Sequence, residues 1–487
     1  TTLDPAVPQT TIVWFRNDLR VRDHESLLDA TRHADRVIPV YCLDPRHFGT
    51  TQWGFDKTGP FRARFLLESL RDLRQSLQDL GGDLVVRQGK PEDVVPELAK
   101  QTGAEAVHCF EEVGAEESTV ETAVSRALYA DTDARLAYYW GKTLYHIDDI
   151  PFERSEIPDV YTPFRKKVEK RCRVRDTLPA PASLSPLPDD LDPGAIPSLS
   201  DLGFQDDGVA DERSVLPFHG GETRGLERVR EYIWEADCLK KYKKTRNGLL
   251  GANYSSKFSA WLAHGCISPR QIREEVKRYE QERVSNKSTY WMIFELIWSD
   301  FFTFIGWKHG DRLFQLSGPM NKDIRWVGDD DAFRRWASGT TGIPFVDANM
   351  RELNLSGFMS NRGRQNVASM LAKSLRLDWR MGASYFEARL VDYEVTSNWG
   401  NWAYNAGVGN DPRDRYFNIV KQAKRYDGDG DYVRHWLPEL RDVPDATIHE
   451  PHTMSRAEQD EAGCTIGADY PAPMVDLKET YRRVRNR

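Results

Sequence analysis

The sequence predicts a two-part molecule: an α/β domain built on a five-stranded parallel, doubly wound sheet, then an all-α domain, with a long linker between them. Three observations carry this reading. Five short apolar runs alternate with amphipathic segments over the first 140 residues. A proline-rich stretch follows, with six prolines between Thr177 and Pro197. From about Leu216 onward the apolar residues recur mainly at helical spacing, and nine of the 14 tryptophans lie at or beyond Trp291. A chain of 487 residues is also too long for one core. The expected divisions are 1–140, 141–214 and 215–487.

The expected strands are Thr11–Phe15, Val37–Leu43, Leu84–Val86, Ala106–Phe110 and Leu136–Trp140. The clearest helix starts near Pro60, carries Phe61, Phe65, Leu66, Leu70, Leu73, Leu77 and Leu80 at helical spacing, and stops at Gly81-Gly82. Crossover helices of this kind imply parallel strands. The loop after the first strand, RNDLR, contains no GxGxxG, which excludes a standard dinucleotide site there. Gly141-Lys142-Thr143 is not a phosphate loop, because Leu136 stands where the required glycine belongs, and it reads as an ordinary turn. The prolines mark a linker rather than a packed element. Just upstream, RKKVEKRCRVR (Arg165–Arg175) reads as a solvated basic helix face, with nucleic-acid contact as the other reading.

The net charge of −8 argues against a protein that coats nucleic acid indiscriminately and leaves room for a local basic patch. No apolar run is long enough to cross a bilayer, and TTLDPAVPQTT lacks the basic start and apolar segment of a signal peptide. The expectation is a cytoplasmic monomer, with an organellar form whose transit peptide has been trimmed as the other reading. Six cysteines without a CxxC pair suggest neither zinc nor disulfides, and no metal is expected. In DGDGD (Asp427–Asp431), Tyr432 and Pro438 occupy the positions that a calcium loop gives to Gly and Glu, so it reads as a turn. His449 and His452 lack zinc-site spacing and are expected at the surface.

The stretch Phe345–Tyr404 sets polar groups and tryptophans into helical runs that should be buried. Buried Asn361, Arg364, Asp392 and Asn398 are costly unless something hydrogen-bonds them, so they imply an enclosed aromatic, polar guest. Asn361 and Arg364 lie three apart and share a helix face; Arg364 could also pair with Asp392. Asn398 and Trp402, four apart, face the same way. YSSKFS (Tyr254–Ser259) offers hydroxyls near a helix start, where a diphosphate could sit. Taken singly, each has a plain structural reading: a cap, a surface ion pair, a packing tryptophan. Read together with TIVWFRNDLR, KTGPFRARFL, WLAHGCISPR, FELIWSDFF, GNDPRDRYFN and VRHWLPEL, the chain resembles the photolyase/cryptochrome family, most closely its cryptochrome DASH branch.

The resemblance implies an FAD-binding helical domain. It assigns the cofactor to Tyr242, Ser255, Ser256, Lys257, Phe258, Ser259, Asn361, Arg364, Asp392, Glu394 and Asn398. Among these the serines would hold the phosphates, Asn398 would face flavin N5, and Asp392 would meet the flavin's polar edge. Trp402, Trp379 and Trp326 match an electron relay to the flavin, and Glu295 and Trp298 match residues that contact a pyrimidine dimer. Gln365 and Tyr404 stand where many double-strand photolyases have Met and Trp, which implies less apolar contact with a flipped dimer and a preference for single-stranded DNA. Glu112 matches a pterin-binding Glu of a 5,10-methenyltetrahydrofolate antenna, with a solvated Glu in an acidic loop as the alternative. Two positions depart from the family pattern: Glu394 where Asp is usual, and Ser299 where Arg is usual. The implied activity is blue-light repair of cyclobutane pyrimidine dimers by electron transfer from excited reduced FAD. The alternatives are a light-signalling receptor that binds DNA or RNA without useful repair, and a full double-strand photolyase.

Overall fold

The computed structural model describes residues 9–411, 413 and 415–485. Residues 1–8, on which the reading of the chain's start rested, lie outside the described residues, as do Pro412 and Asp414 of GNDPRDRYFN. Five strands, β1 (Thr10–Phe15), β2 (Arg36–Leu43), β3 (Val85–Gln88), β4 (Ala106–Phe110) and β5 (Arg135–Tyr139), form one parallel sheet in the order β3-β2-β1-β4-β5. Such a sheet buries both faces, which is why its strands read as continuous apolar runs. Val13 and Phe15 pack in one core with α1 (Glu25–His33) and α2 (Pro60–Asp79). Ile12 and Trp14 pack on the opposite face against α3 (Pro91–Thr102) and α4 (Ala115–Asp131).

The order of strands reverses between β1 and β4, and the carboxyl ends at that switch point are where doubly wound sheets place ligands. Here those ends deliver Asn17 and Glu112 side by side, with Asn17 Nδ2 donating to Glu112 Oε1 at 3.2 Å.

After β5 the chain forms α5 (Tyr161–Arg171) and then crosses back over the sheet domain. The proline-rich stretch corrects the expectation of an unpacked linker. Leu184 N–H donates to Leu80 O and Val86 N–H to Pro193 O, both at 2.7 Å, and Leu184 and Leu191 are buried. Prolines lack the donor needed for helix or sheet but leave carbonyls free, and the strap is held through one of these, Pro193 O, and through the N–H of a non-proline residue, Leu184.

The second part is helical: α6 (Glu222–Arg230), α7 (Tyr242–Thr245), α8 (Ser259–Ala263), α9 (Pro269–Glu282), α10 (Lys287–His309), α11 (Asp330–Ser338), α12 (Pro344–Ser356), α13 (Asn361–Ser369), α14 (Trp379–Arg389) and α15 (Val395–Ala406). Four further helices, α16 (Ile419–Tyr426), α17 (Asp431–Trp436), α18 (Arg456–Glu461) and α19 (Leu477–Arg485), complete it. The core of α10 is continuous with the sheet core, since Phe301 and Phe304 share one apolar cluster with Phe15 and Phe65. Asp300 joins the parts further: its carboxylate accepts Leu144 N–H at 2.8 Å and Tyr145 N–H at 2.9 Å, and burial pushes its pKa up to about 8.

DGDGD is a turn whose Asp427 accepts Tyr432 N–H and Val433 N–H, capping α17. His449 corrects the surface expectation. It is buried, with Nε2 2.5 Å from Asp427 O, because the turn's carbonyl supplies its partner. All six cysteines are free thiols. Among the described residues no helix is long and apolar enough to cross a membrane, and no cluster of His, Cys, Asp and Glu could hold a metal ion.

Candidate functional site

Two polar regions lie inside the molecule. The first is in the helical domain. Arg364 on α13 donates through Nη2 to both oxygens of Asp392, at 2.9 and 2.8 Å, and through Nε to Met359 O at 2.9 Å. Asp392 is buried, so this ion pair is not a surface contact. Asn361 differs from expectation: it is the first residue of α13 and is exposed, while Arg364 one turn on is half-buried. Asn398, buried on α15, donates through Nδ2 to Ala383 O at 3.0 Å, which fixes the orientation of its amide.

The loop before α8 is bound from beneath. Arg228 donates to Ser256 O (3.1 Å) and Ala252 O (3.0 Å). Lys257 has a left-handed φ of 56° and turns inward, donating to Ala252 O at 2.9 Å and covering the Tyr254 ring at 3.4 Å. Burial pulls its pKa down to about 6. Phe258 meets Tyr232 edge-on at 5.8 Å, and Tyr242 meets the same ring at 6.4 Å. Among the described residues the hydroxyls of Ser255, Ser256 and Ser259 make no hydrogen bond. Tyr254 OH, Asn253 Oδ1 and one oxygen of Glu352 are buried without a partner. Unspent hydroxyls beside unpartnered buried polar atoms suit a phosphate-bearing polar guest, and this donor set fits FAD.

The tryptophans lie in one aromatic core. Trp402 is buried over Gly382, where an added Cβ would lie 2.2 Å from the indole, and its ring meets Phe386 at 5.0 Å and Trp336 at 6.0 Å. Trp379 is fully buried, donates to Leu316 O at 3.1 Å, and meets Trp399 at 5.7 Å. Trp326 is half-buried against this core, held beside the start of α14 by the Val327–Leu377 bridge. Trp336 belongs to no motif quoted from the sequence, and Trp399, inside the Phe345–Tyr404 stretch, has no role assigned there; only the packing brings the two in.

On α10, Glu295 and Trp298 share the expected face. Glu295 pairs with Arg246 Nη1 at 2.9 Å; burial raises its pKa, and Arg246 opposes that rise. Arg246 was missed, although its position four residues after Tyr242 was a usable signal. Trp298 meets Tyr404 at 6.3 Å with the rings at 90°, making two walls of a corner, and stacks on Tyr161 at 3.6 Å. Gln365 Oε1 accepts from Arg362 Nη1 at 2.8 Å, and Arg362 also donates to Asn247 at 3.2 Å. Ser299 is half-buried on α10, and its carbonyl accepts from Thr303 at 3.2 Å.

The second region is a cavity of about 830 Å³ between the domains, lined by Trp14, Asn17, Lys142, Tyr393, Glu394 and Trp399 among others. Glu112 is buried behind two of the lining residues, which overturns the solvated-loop alternative: Lys142 Nζ lies 2.5 Å from Oε2, and Asn17 holds Oε1. Lys142 is therefore more than part of a turn, and it also approaches Glu394 at 3.8 Å. Burial pulls Lys142 down, but Glu112 and Glu394 outweigh it and hold its pKa at about 12. Glu394, which the resemblance places in the cofactor-binding set, is found here. Its extra methylene lets the carboxylate fold back onto Thr396 N–H (3.3 Å) and Ser397 N–H (2.7 Å), so it caps α15 and faces this cavity.

The family model described as the FAD binding domain of DNA photolyase matches residues 291–487, and that of DNA photolyase matches residues 11–183. The chain is 57% identical over 470 residues to cryptochrome DASH of Gloeobacter violaceus, covering 96% of this chain and 93% of that one. The crystal structure of a Synechocystis cryptochrome superposes with a TM-score of 0.95 at 51% identity, covering 99% of this chain and all of that one. An archaeal photolyase from Sulfolobus tokodaii, crystallised with two FAD molecules and the implication of a novel light-harvesting cofactor, superposes with a TM-score of 0.78 at 26% identity, covering 98% and 99%. With a fold, a cofactor-binding domain and near-full-length relatives in agreement, the chain belongs to the cryptochrome DASH branch of the photolyase/cryptochrome family.

Proposed function

We propose that this protein uses blue light and FAD to split cyclobutane pyrimidine dimers, preferentially in single-stranded DNA. The observation that carries the reading is the corner formed by Trp298 and Tyr404, with Glu295 one turn away on α10. Two perpendicular aromatic walls give a flipped pair of bases apolar surface to pack against, and the carboxyl offers it a hydrogen-bond partner. Reduced FAD bound in the helical domain would supply, on excitation, the electron that opens the dimer ring and would take it back afterwards. Arg364 and Asp392 would meet the flavin's polar edge and Asn398 its N5, while Ser255, Ser256 and Ser259 would hold the phosphates. Trp402, Trp379 and Trp326 would pass electrons inward from the surface.

Gln365 supports the single-strand preference, because its amide is tied to Arg362 and offers a dimer little apolar contact. Extraction from a duplex costs a few kcal/mol that a single strand largely avoids. We assign the cavity between the domains to an antenna, 5,10-methenyltetrahydrofolate, whose aromatic ring would lie among Trp14, Tyr393 and Trp399.

The test is blue-light repair of one thymine-dimer oligonucleotide, single-stranded and duplex in parallel, with the FAD reduced. Repair confined to single strands is expected. Equal repair of both would identify a double-strand photolyase, and absent repair with normal flavin photoreduction would identify a signalling receptor.

A further inference from the structure

Tyr161 opens α5, outside every motif quoted above, yet it makes the closest aromatic contact recorded in the structure. Its ring lies 3.6 Å from that of Trp298 at an interplanar angle of 7°. Aromatic pairs ordinarily stand about 4.5–7 Å apart in offset or edge-on arrangements, so this superposition is tight. The Tyr161 ring is also held from three other directions. Its hydroxyl donates to Phe294 O at 2.9 Å, one turn before Trp298 on α10, and Phe294 and Phe301 meet it edge-on at 5.2 and 5.7 Å. It is buried, whereas Trp298 is only half-buried.

We infer that Tyr161 is a positioning residue that sets the plane of Trp298, and with it the shape of the corner that receives damaged bases. The inference rests on the reading of Trp298 as a substrate-side residue. A half-buried indole on one helix face can turn about its side-chain torsions. A flat ring fixed against one of its faces removes that freedom and leaves the indole perpendicular to Tyr404. The corner is then formed before substrate arrives, so binding does not have to order it.

The experiment compares Tyr161→Phe, which keeps the ring and loses the hydroxyl, with Tyr161→Leu, which keeps apolar bulk and loses the plane. Affinity is measured for a single-stranded oligonucleotide with one thymine dimer and for the same strand undamaged, alongside flavin photoreduction. Tyr161→Phe should match the parent protein. Tyr161→Leu should weaken dimer binding about tenfold, the size of one lost aromatic pair, with undamaged-strand affinity and photoreduction unchanged. Unchanged dimer affinity in Tyr161→Leu, or equal losses on both strands, would overturn the inference, since a purely structural role does not discriminate damage. Should Tyr161→Leu fail to hold FAD, Tyr161→Met fills the same socket with a flexible chain and carries the same expectation. Trp298→Ala is the control: dimer affinity equal to the parent's there would remove the substrate-side reading itself, whatever Tyr161 does.

Discussion

The helical site around Arg364 and the cavity between the domains both enclose charge, and they neutralise it by different means. Arg364 and Asp392 form one pair inside a single domain, and the polar atoms around them, at Asn253, Tyr254 and Glu352, are left without partners. In the cavity, charges of both signs pair across the domain boundary, where Lys142 bridges Glu112 from the end of β4 and Glu394 from the cap of α15. Unsatisfied groups at the helical site describe a place made for a polar guest, and the Glu112–Lys142–Glu394 set describes a joint that satisfies itself, although Arg62 Nε, elsewhere on the cavity wall, is buried without a partner. A chain can therefore enclose two polar regions that differ in how far their charges are paired within the protein itself.

The sharpest way to break the comparison is Asp392→Ala. It leaves the Arg364 guanidinium half-buried and unpaired, which costs about 3–5 kcal/mol in such settings. FAD content should collapse together with the melting temperature, as read by flavin-to-protein ratio and calorimetry. Retention of stoichiometric FAD would show that the pair does not border the cofactor. Lys142→Met should cost less, about 2–3 kcal/mol, since Asn17 still satisfies Glu112. Flavin content should hold while the joint loosens, visible as faster amide exchange in the segments around Asn17 and Glu112. Adding Glu112→Gln should recover part of the loss.

How much of each region was legible follows from how each is assembled. The parallel sheet and the long α2 helix could be read because their apolar spacing is local. Arg364, Asp392 and Asn398 could be read because they sit within one stretch of chain and the family motif runs through it. The cavity draws Asn17, Lys142 and Glu394, with Glu112 behind them, from four separate parts of the sequence. No local pattern joins them, which is why Lys142 read as part of a turn and its approach to Glu394 could not be read. Tyr161 escaped for the same reason, since its partner lies on α10, 137 residues further along (298 − 161). His449 was misplaced because burial of a lone histidine depends on a carbonyl, Asp427 O, that only the folded turn presents.

Gly382→Ala probes the aromatic core with a smaller effect. The added methyl would lie 2.2 Å from the Trp402 ring, so the indole must move, and overpacking of this kind costs about 1–3 kcal/mol. Flavin photoreduction should slow by more than the stability loss explains if Trp402 is the relay residue beside the flavin. An unchanged photoreduction rate with a displaced Trp402 would remove it from the relay.

The smallest expected effect is in pH dependence, and it separates the two regions by slope. Glu352 lies beneath the helical site, where burial pushes its pKa up to about 8, opposed by the Tyr432 hydroxyl, Lys257 and Arg364. In the unfolded chain a glutamate titrates near 4.3, so between about pH 4.3 and 8 the folded protein binds the extra proton. Its contribution is full below that interval and is lost as pH rises through it. Glu352→Gln keeps an acceptor for Tyr432 and cannot ionise, so its melting temperature should fall less steeply than the parent's between pH 5 and pH 8. Lys142 gives the contrast. Its raised pKa keeps it charged across the same interval, so Lys142→Met should shift the melting curve without changing that slope. Equal slopes in Glu352→Gln and the parent would mean that this carboxyl is ionised in the folded state, with Lys257 or Arg364 as its counter-ion.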